Sequence, residues 1–540
     1  MLRGMNETVQ ALPPAVRRRP GAPTLLSLAA GVMLTTALPP MRGTSLLAPA
    51  ALALLFHLLG GHPRPGWLTF VFGVGHAASL MSWLFFLDPA KSIPTRALIP
   101  VQAAAAILFV AAHYWLLGVA FGFLRRRLGP RLLLAWLPVL WVAVELVRSR
   151  GELAFPWCLV GTAWLDTPVA PLFAAAGETG LGAATAVTAA ALVAIGRRIA
   201  GVPADRTGWR ALLVATVLAW VLLWIGSAPR GASLPDGHRT SPLPVACVQA
   251  DVAQEDKWDD AKIDSTRIPY TDLTARAAGD GAELVVWAET AVPAYVRFDR
   301  ELMRWLRAVA SENRVAILTG FPDGRFEPDP AAENERRLLK FNAAGLVSPE
   351  GELLETYGKH HLVPIGESMP FQRYLPWLGR IDVGQAEWTP GAPPGPMSLP
   401  TDAGEVSPAV LICFEGAFSH LARGAVRRGA NVLVNITNDG WFGYTAGPRQ
   451  HAALARIRAI ECGVPLVRCA NNGISMICDA QGRVLDRLDM NLRGIVGASI
   501  DPRPRGTLYA ELGRWPVLAF LALWLVVSAA LARRDRREAA

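Results

Sequence analysis

Two hydrophobic regimes divide this chain. Apolar runs long enough to cross a bilayer, about 20 helical residues for about 30 Å of hydrocarbon, crowd its first part at residues 23–40, 44–60, 66–87, 97–124, 132–148, 168–195 and 210–227. One more follows at 514–532, and the stretch between has none. The second run is short, which suits a tilted or re-entrant helix. Arg17, Arg18 and Arg19 ahead of the first run imitate a secretory signal, but further apolar runs follow almost at once, so it reads as a retained helix. The pattern predicts seven membrane helices within residues 1–227, a polar domain over 228–513, and a last membrane helix with a basic tail over 514–540.

The polar domain alternates short β-rich runs with helical stretches. Strands are predicted at Pro244–Ala250, Glu283–Ala288, Val315–Gly320, Val410–Cys413 and Asn431–Thr437, and helices at Glu301–Glu312 and Gln450–Cys462. Residues 337–361 read as paired strands turning at Ser348-Pro349-Glu350-Gly351. The result is an α/β domain, a strand-rich core covered by helices.

Composition agrees with a membrane protein: 52% of the 540 residues are hydrophobic and only 18% charged. Six cysteines are too few for a disulfide framework. The net charge of +9 could signal nucleic acid, but residues 236–512 carry a net −6 and the remainder +15. The excess lies beside the apolar runs. Seventeen Lys and Arg fall on the N-terminus, alternate loops and the tail, and five (Arg42, Lys91, Arg96, Arg148, Arg150) on the opposite loops. By the positive-inside rule both termini are cytoplasmic and the polar domain lies outside, in the periplasm of a bacterium with two membranes. No nucleic-acid partner is predicted.

Three segments could carry chemistry. Val410-Leu411-Ile412-Cys413-Phe414-Glu415-Gly416 is an apolar strand ending in a thiol before a helical stretch, whose N-terminus would favour thiolate; a buried structural cysteine is the alternative. Val285-Val286-Trp287-Ala288-Glu289-Thr290 ends in a carboxylate suited to a general base or to a plain helix cap. In Tyr357-Gly358-Lys359-His360-His361 a fixed ammonium could stabilise an oxyanion, or be solvated. Adjacent His360 and His361 point to opposite faces of a strand and lack a third ligand at a metal-site spacing, so no metal is predicted. No phosphate-binding or dinucleotide motif occurs.

A Glu after an apolar strand, then a Lys, then a Cys resembles the Glu-Lys-Cys triad of the carbon-nitrogen hydrolase (nitrilase) superfamily. Within it, seven runs before the domain and one after resemble the apolipoprotein N-acyltransferase family. The motifs are Trp287-Ala288-Glu289-Thr290, residues 357–367, Ile412-Cys413-Phe414-Glu415, residues 438–443 and Ala470-Asn471-Asn472-Gly473. The resemblance implies a polytopic helical membrane domain and a nitrilase-like αββα sandwich. It implies Cys413 as nucleophile, Glu289 as general base and Lys359 as oxyanion partner, supported by Glu367, Glu415 and Phe414. Phe414 stands where some relatives have Tyr. Trp258 matches an aromatic on a substrate-associated loop, and Trp441 and Asn471 fall in matched motifs expected to touch substrate. Arg449, with Arg456 and Arg458, could meet headgroup phosphate, with solvated arginine as the alternative.

The implied reaction moves a fatty acyl chain from a phospholipid, usually phosphatidylethanolamine, through a Cys thioester to the α-amino group of an S-diacylglyceryl-cysteine that begins an apolipoprotein. It needs no cofactor. Monomer is the default state. The apolar segment Met369–Leu378 could be a lid or arm at the membrane interface, or a loop packed on its own domain. Cys462 and Cys469 could pair. Two rival readings are a membrane-anchored amidase, for which one helix would suffice, and a transporter, for which the apolar runs hold too few ionisable residues beyond Glu145.

Overall fold

The computed structural model describes residues 21–87, 98–128, 130–202, 206–231, 234–257, 262–328, 336–380 and 387–538. Apolar helices stand at the predicted places in the first part: α1 (Ala22–Thr36), α2 (Leu47–Gly61), α3 (Pro65–Leu80), α4 (Leu98–Arg125), α5 (Pro130–Arg148), α6 (Phe173–Ile199) and α7 (Arg206–Gly226). Near its start α6 is broken at Gly177, whose φ of +65° is open to glycine without a Cβ clash. The Glu178 N–H beside the break donates to Glu461 Oε1 at 2.8 Å.

The outer domain begins with β1 (Leu243–Gln249), α8 (Ile263–Gly279), β2 (Leu284–Trp287), α9 (Arg300–Asn313), β3 (Ala316–Pro328), β4 (Arg336–Val347) and β5 (Leu353–Gly358). It continues with β6 (Pro408–Ile412), α10 (Ser419–Arg427), β7 (Val432–Thr437), α11 (Gly447–Cys462), β8 (Leu466–Ala470), β9 (Ser475–Cys478), β10 (Val484–Leu488) and β11 (Gly494–Ile500). They form two sheets, ordered β11-β1-β2-β3-β4-β5 and β10-β9-β8-β7-β6. Within them β1-β2-β3 and β6-β7-β8 run parallel, and the remaining strands pair antiparallel.

Both faces of β2, β6, β7 and β8 are buried, which explains their largely unbroken apolar runs. The faces still alternate with period two. Leu284 and Val286 of β2 join Val410 and Ile412 of β6 and Val432 and Val434 of β7 between the sheets. Val285 and Trp287 turn instead to Tyr270 and Leu273 of α8 and Leu302 and Leu306 of α9. Each such buried side chain contributes about 1.5–3 kcal/mol, so a one-residue slip in register would forfeit a whole row. The layers are therefore α8/α9, sheet, sheet, α10/α11, the αββα sandwich expected.

The fourth layer packs against the helical part. Leu411, Leu421, Leu454 and Ile457 lie in one continuous core with Trp141, Trp157, Ala176 and Leu181 of the helical part. The final helix, α12 (Trp515–Glu538), packs there too, with Trp524 Nε1 donating to Ala135 O at 2.8 Å. Three described helices are long and apolar enough to cross a membrane: Ile99–Arg125, Ala170–Ile199 and Trp209–Gly226. Ala22–Thr36, Leu47–Gly61 and Trp515–Ala530 are shorter apolar helices. A 15-residue helix rises about 22 Å, short of the hydrocarbon thickness, so helix length does not establish the eight crossings expected from the sequence.

Candidate active site

Three strand ends meet at one place. Glu289 lies two residues past β2, Lys359 directly past β5 and Cys413 directly past β6, so the facing sheets each contribute from the C-terminal ends of their strands. The backbone there is strained: Thr290 has φ +50°, and Cys413 has φ +53°, left-handed values costly for residues with a Cβ. Gly320 on the neighbouring β3 makes room, since a Cβ there would come within 2.8 Å of the Glu289 Cα and 2.7 Å of the Thr290 nitrogen.

Every oxygen of the Glu289 carboxylate has a donor. Oε1 accepts from Asn342 Nδ2 at 2.8 Å and lies 3.7 Å from Lys359 Nζ, while Oε2 accepts the Asn438 N–H at 2.9 Å. Lys359 is buried and makes its shorter contact, 2.8 Å, with Glu367 Oε1. Glu367 in turn accepts from Asn342 Nδ2 at 3.2 Å and from the Val363 N–H at 2.8 Å. Burial alone would lower the Lys359 pKa, but Glu367 and then Glu289 outweigh it, so the ammonium is held charged well above its ordinary value.

Cys413 is half-buried. The expectation that a helix N-terminus would favour its thiolate is not met. A five-residue 3-10 turn, Cys413–Ala417, follows it, and α10 begins only at Ser419, beyond the first-turn reach of a helix dipole. Burial, and next Glu289, push the thiol pKa up, against the pull of Lys359 and the Thr437 hydroxyl. At rest the side chain is a thiol, and any nucleophilic reaction at its sulfur would need a base.

Glu415 supports this turn from inside. Its Oε2 accepts the Ile412 N–H at 2.7 Å, and Oε1 accepts from Tyr357 Oη at 2.8 Å and from the His360 and His361 N–H groups at 2.8 and 3.0 Å. It therefore ties the Cys413 turn to the segment that bears Lys359. Phe414 stacks with Phe155 and Trp157 of the helical part, at centroid distances of 6.0 and 6.2 Å.

Other expected residues fall elsewhere. Trp258 lies outside the described residues. Asn471 is buried, its amide bonded to Val252 N and O at 3.1 and 2.8 Å and to Asn438 Oδ1 at 3.3 Å, so it steadies the Asn438 that donates to Glu289. Trp441 is half-buried on the turn Asp439–Phe442. Half-buried Arg449 bonds Thr445 O at 3.3 Å and lies over the Tyr444 ring. Arg458 is unavailable to a headgroup, because it is buried against Glu178 at 3.1 Å and Glu461 at 3.3 Å. Arg456 is paired with Asp166 at 2.6 Å. Cys462 and Cys469 are both buried and free. His360 Nδ1 bonds Gly391 O at 2.8 Å, and the His361 ring lies 4.0 Å from that of Phe418. The apolar arm exposes Phe371, Tyr374, Leu375 and Trp377, and is tied to the helical part through Glu152, which pairs with Arg373 at 3.0 Å and accepts the Phe371 N–H.

Residues 244–507 match the family model of carbon-nitrogen hydrolases, and residues 30–191 that of the apolipoprotein N-acyltransferase N-terminal domain. The apolipoprotein N-acyltransferase of Geobacter metallireducens is 31% identical over 94% of this chain and 95% of its own. That of Photobacterium profundum is 32% identical over 94% and 95%, and that of Azotobacter vinelandii 34% over 96% and 97%. Because the likeness runs through the helical part and the sandwich alike, this chain belongs to the apolipoprotein N-acyltransferase family.

Proposed function

We propose that the chain carries out the family's lipoprotein N-acylation through a thioester on Cys413, with Glu289 as the proton carrier and Lys359 as the oxyanion partner. One observation carries this reading: a thiol held protonated stands at the strand ends beside a carboxylate and a lysine held charged. In the first half-reaction Glu289 takes the Sγ proton, and sulfur attacks the ester carbonyl of a phospholipid. Lys359 and the Phe414 N–H stabilise the tetrahedral oxyanion. Collapse breaks the ester C–O bond, and the leaving lysophospholipid oxygen takes the proton from Glu289. In the second, the acceptor's α-amine loses a proton to Glu289 as its nitrogen attacks the thioester; the C–S bond breaks and the proton returns to sulfur. The order is ping-pong.

Phosphatidylethanolamine is the proposed donor, a diacylglyceryl apolipoprotein the acceptor, and the working unit a monomer. The proposed divisions are residues 1–227, 228–513 and 514–540, with eight crossings of the bacterial inner membrane, the sandwich in the periplasm and both termini in the cytoplasm. Large apolar side chains exposed along the helices, among them Leu108, Trp115, Val217, Leu222 and Val526, support a lipid surround, and the asymmetry of Lys and Arg supports the orientation. The test is transfer to a diacylglyceryl-cysteine peptide from phosphatidylethanolamine vesicles. Glu289→Gln and Lys359→Ala should abolish transfer in folded protein, and near-normal rates in either would overturn the assignment.

A further inference from the structure

Behind the nucleophile lies a buried charged cluster that the proposed steps do not use. His451, on α11, points Nε2 at the Cys413 carbonyl oxygen, 3.0 Å away, and Nδ1 at Asp439 Oδ1, 2.9 Å away. Arg468 on β8 bonds Asp439 Oδ2 at 2.8 Å and lies 3.3 Å from His451 Nδ1. It also bonds Asn435 Oδ1, and the Asn435 amide donates to Leu411 O at 2.7 Å and to Cys413 O at 3.3 Å. Two side chains that meet the Cys413 carbonyl, His451 through Asp439 and Asn435 directly, are thus tied to one guanidinium. His451, Asp439, Asn435 and Arg468 are all buried. Burial pushes Asp439 up, but Arg468 and His451 hold its pKa down at about 2, so it stays ionised.

The residue before His451 locks the same helix onto the helical part. Gln450 Oε1 accepts from Trp83 Nε1 at 3.1 Å and Trp157 Nε1 at 2.7 Å, and its Nε2 donates to Leu80 O at 3.1 Å. The Trp157 ring lies 5.5 Å from that of His451. A misplacement of about 1 Å at a reacting atom can cost about 100-fold in rate.

We propose that His451 is a positioning residue for the nucleophile: with both ring nitrogens facing acceptors and carrying protons, it is fixed by Asp439 through Nδ1, is registered on the helical part through Gln450, and donates from Nε2 to the Cys413 carbonyl, holding the strained turn in the attacking geometry. This rests on Cys413 being the nucleophile. Two substitutions separate the contacts of the ring, since a glutamine amide reaches about where Nε2 stands and an asparagine amide about where Nδ1 stands. The experiment follows acylation of Cys413 by phosphatidylethanolamine vesicles in the full-length protein by intact mass, with thermal midpoints alongside. His451→Asn should slow acylation about 100-fold with the lipid KM within about twofold, and His451→Gln should stay within about fivefold of the unsubstituted protein. Equal losses in the two, the reverse order, or a loss carried by KM would overturn the inference. If His451→Asn does not fold, His451→Gln alone decides: a loss within about fivefold supports the inference, and a larger one overturns it. Absence of any adduct on the unsubstituted protein would instead overturn the nucleophile itself, and this inference with it.

Discussion

Lys359 Nζ sits 2.8 Å from Glu367 Oε1, closer than the 3.7 Å that separates it from Glu289 Oε1. The ammonium is thus anchored by a carboxylate outside the proposed triad, so Lys359 keeps a paired anion when Glu289 takes a proton. Glu367→Gln weakens that anchor and draws Lys359 toward Glu289. The expected result is a fall in kcat of about 10- to 100-fold, the size of one charge-assisted hydrogen bond, with folding retained. Steady-state transfer kinetics check it, and unchanged kcat would assign Lys359 another anchor.

Glu415 accepts four hydrogen bonds, three of them from backbone N–H groups, with no exposed surface. Glu415→Gln keeps the size but turns an NH2 toward donors, leaving at least one buried N–H unpaired at a cost of about 1–3 kcal/mol. A lowered thermal midpoint together with at least tenfold slower transfer is expected. Loss of activity at an unchanged midpoint would mean that Glu415 acts on substrate rather than on the Cys413 turn.

Much of this was legible in the sequence, for one physical reason. Strands buried on both faces must be unbroken apolar runs, so β1, β2, β3, β6 and β7 stand out, and the first polar or reactive residue past their ends, Glu289 or Cys413, stands out with them. The helix expected at residues 301–312 is α9, and in the structure Asp299 caps it by accepting the Glu301 and Leu302 N–H groups. Asn342, His451 and Arg468 left no such trace, and Asn438 and Asp439 showed only as part of the matched motif at residues 438–443. They are polar residues whose burial comes from tertiary packing, and nothing local distinguishes them from surface residues. Arg458 misled for the same reason: a helix face read as solvated is the face that docks on the helical part.

Buried Lys257 gives a pH signature. Burial pushes its pKa down to about 8, against the attraction of Glu289. A lysine with a folded value below its unfolded value of about 10.4 sheds its proton first in the folded state, so stability rises as pH climbs from about 8 toward 10.4. Lys257→Met removes that cost. It should raise the thermal midpoint at pH 7, by an amount equivalent to at most about 3 kcal/mol, and the gain should fade as pH approaches 10.4. A gain constant with pH would mean that the charge is not its source.

Arg458 bridges Glu178 of α6 and Glu461 of α11 inside the contact between the two parts of the chain. Arg458→Met leaves two buried carboxylates without their cation, which costs about 3–5 kcal/mol. A large fall in the thermal midpoint in detergent is expected, partly restored by adding Glu178→Gln and Glu461→Gln. A fall equivalent to less than about 1 kcal/mol would mean that water reaches the pair.

In the proposed reaction acyl transfer passes through sulfur at Cys413. Its most direct measurement is the intact mass of the purified protein after incubation with phosphatidylethanolamine and no acceptor. The expected result is a mass gain of one acyl chain, absent from Cys413→Ala and discharged when a diacylglyceryl-cysteine peptide is added. No gain on the unsubstituted protein, or the same gain on Cys413→Ala, would contradict it.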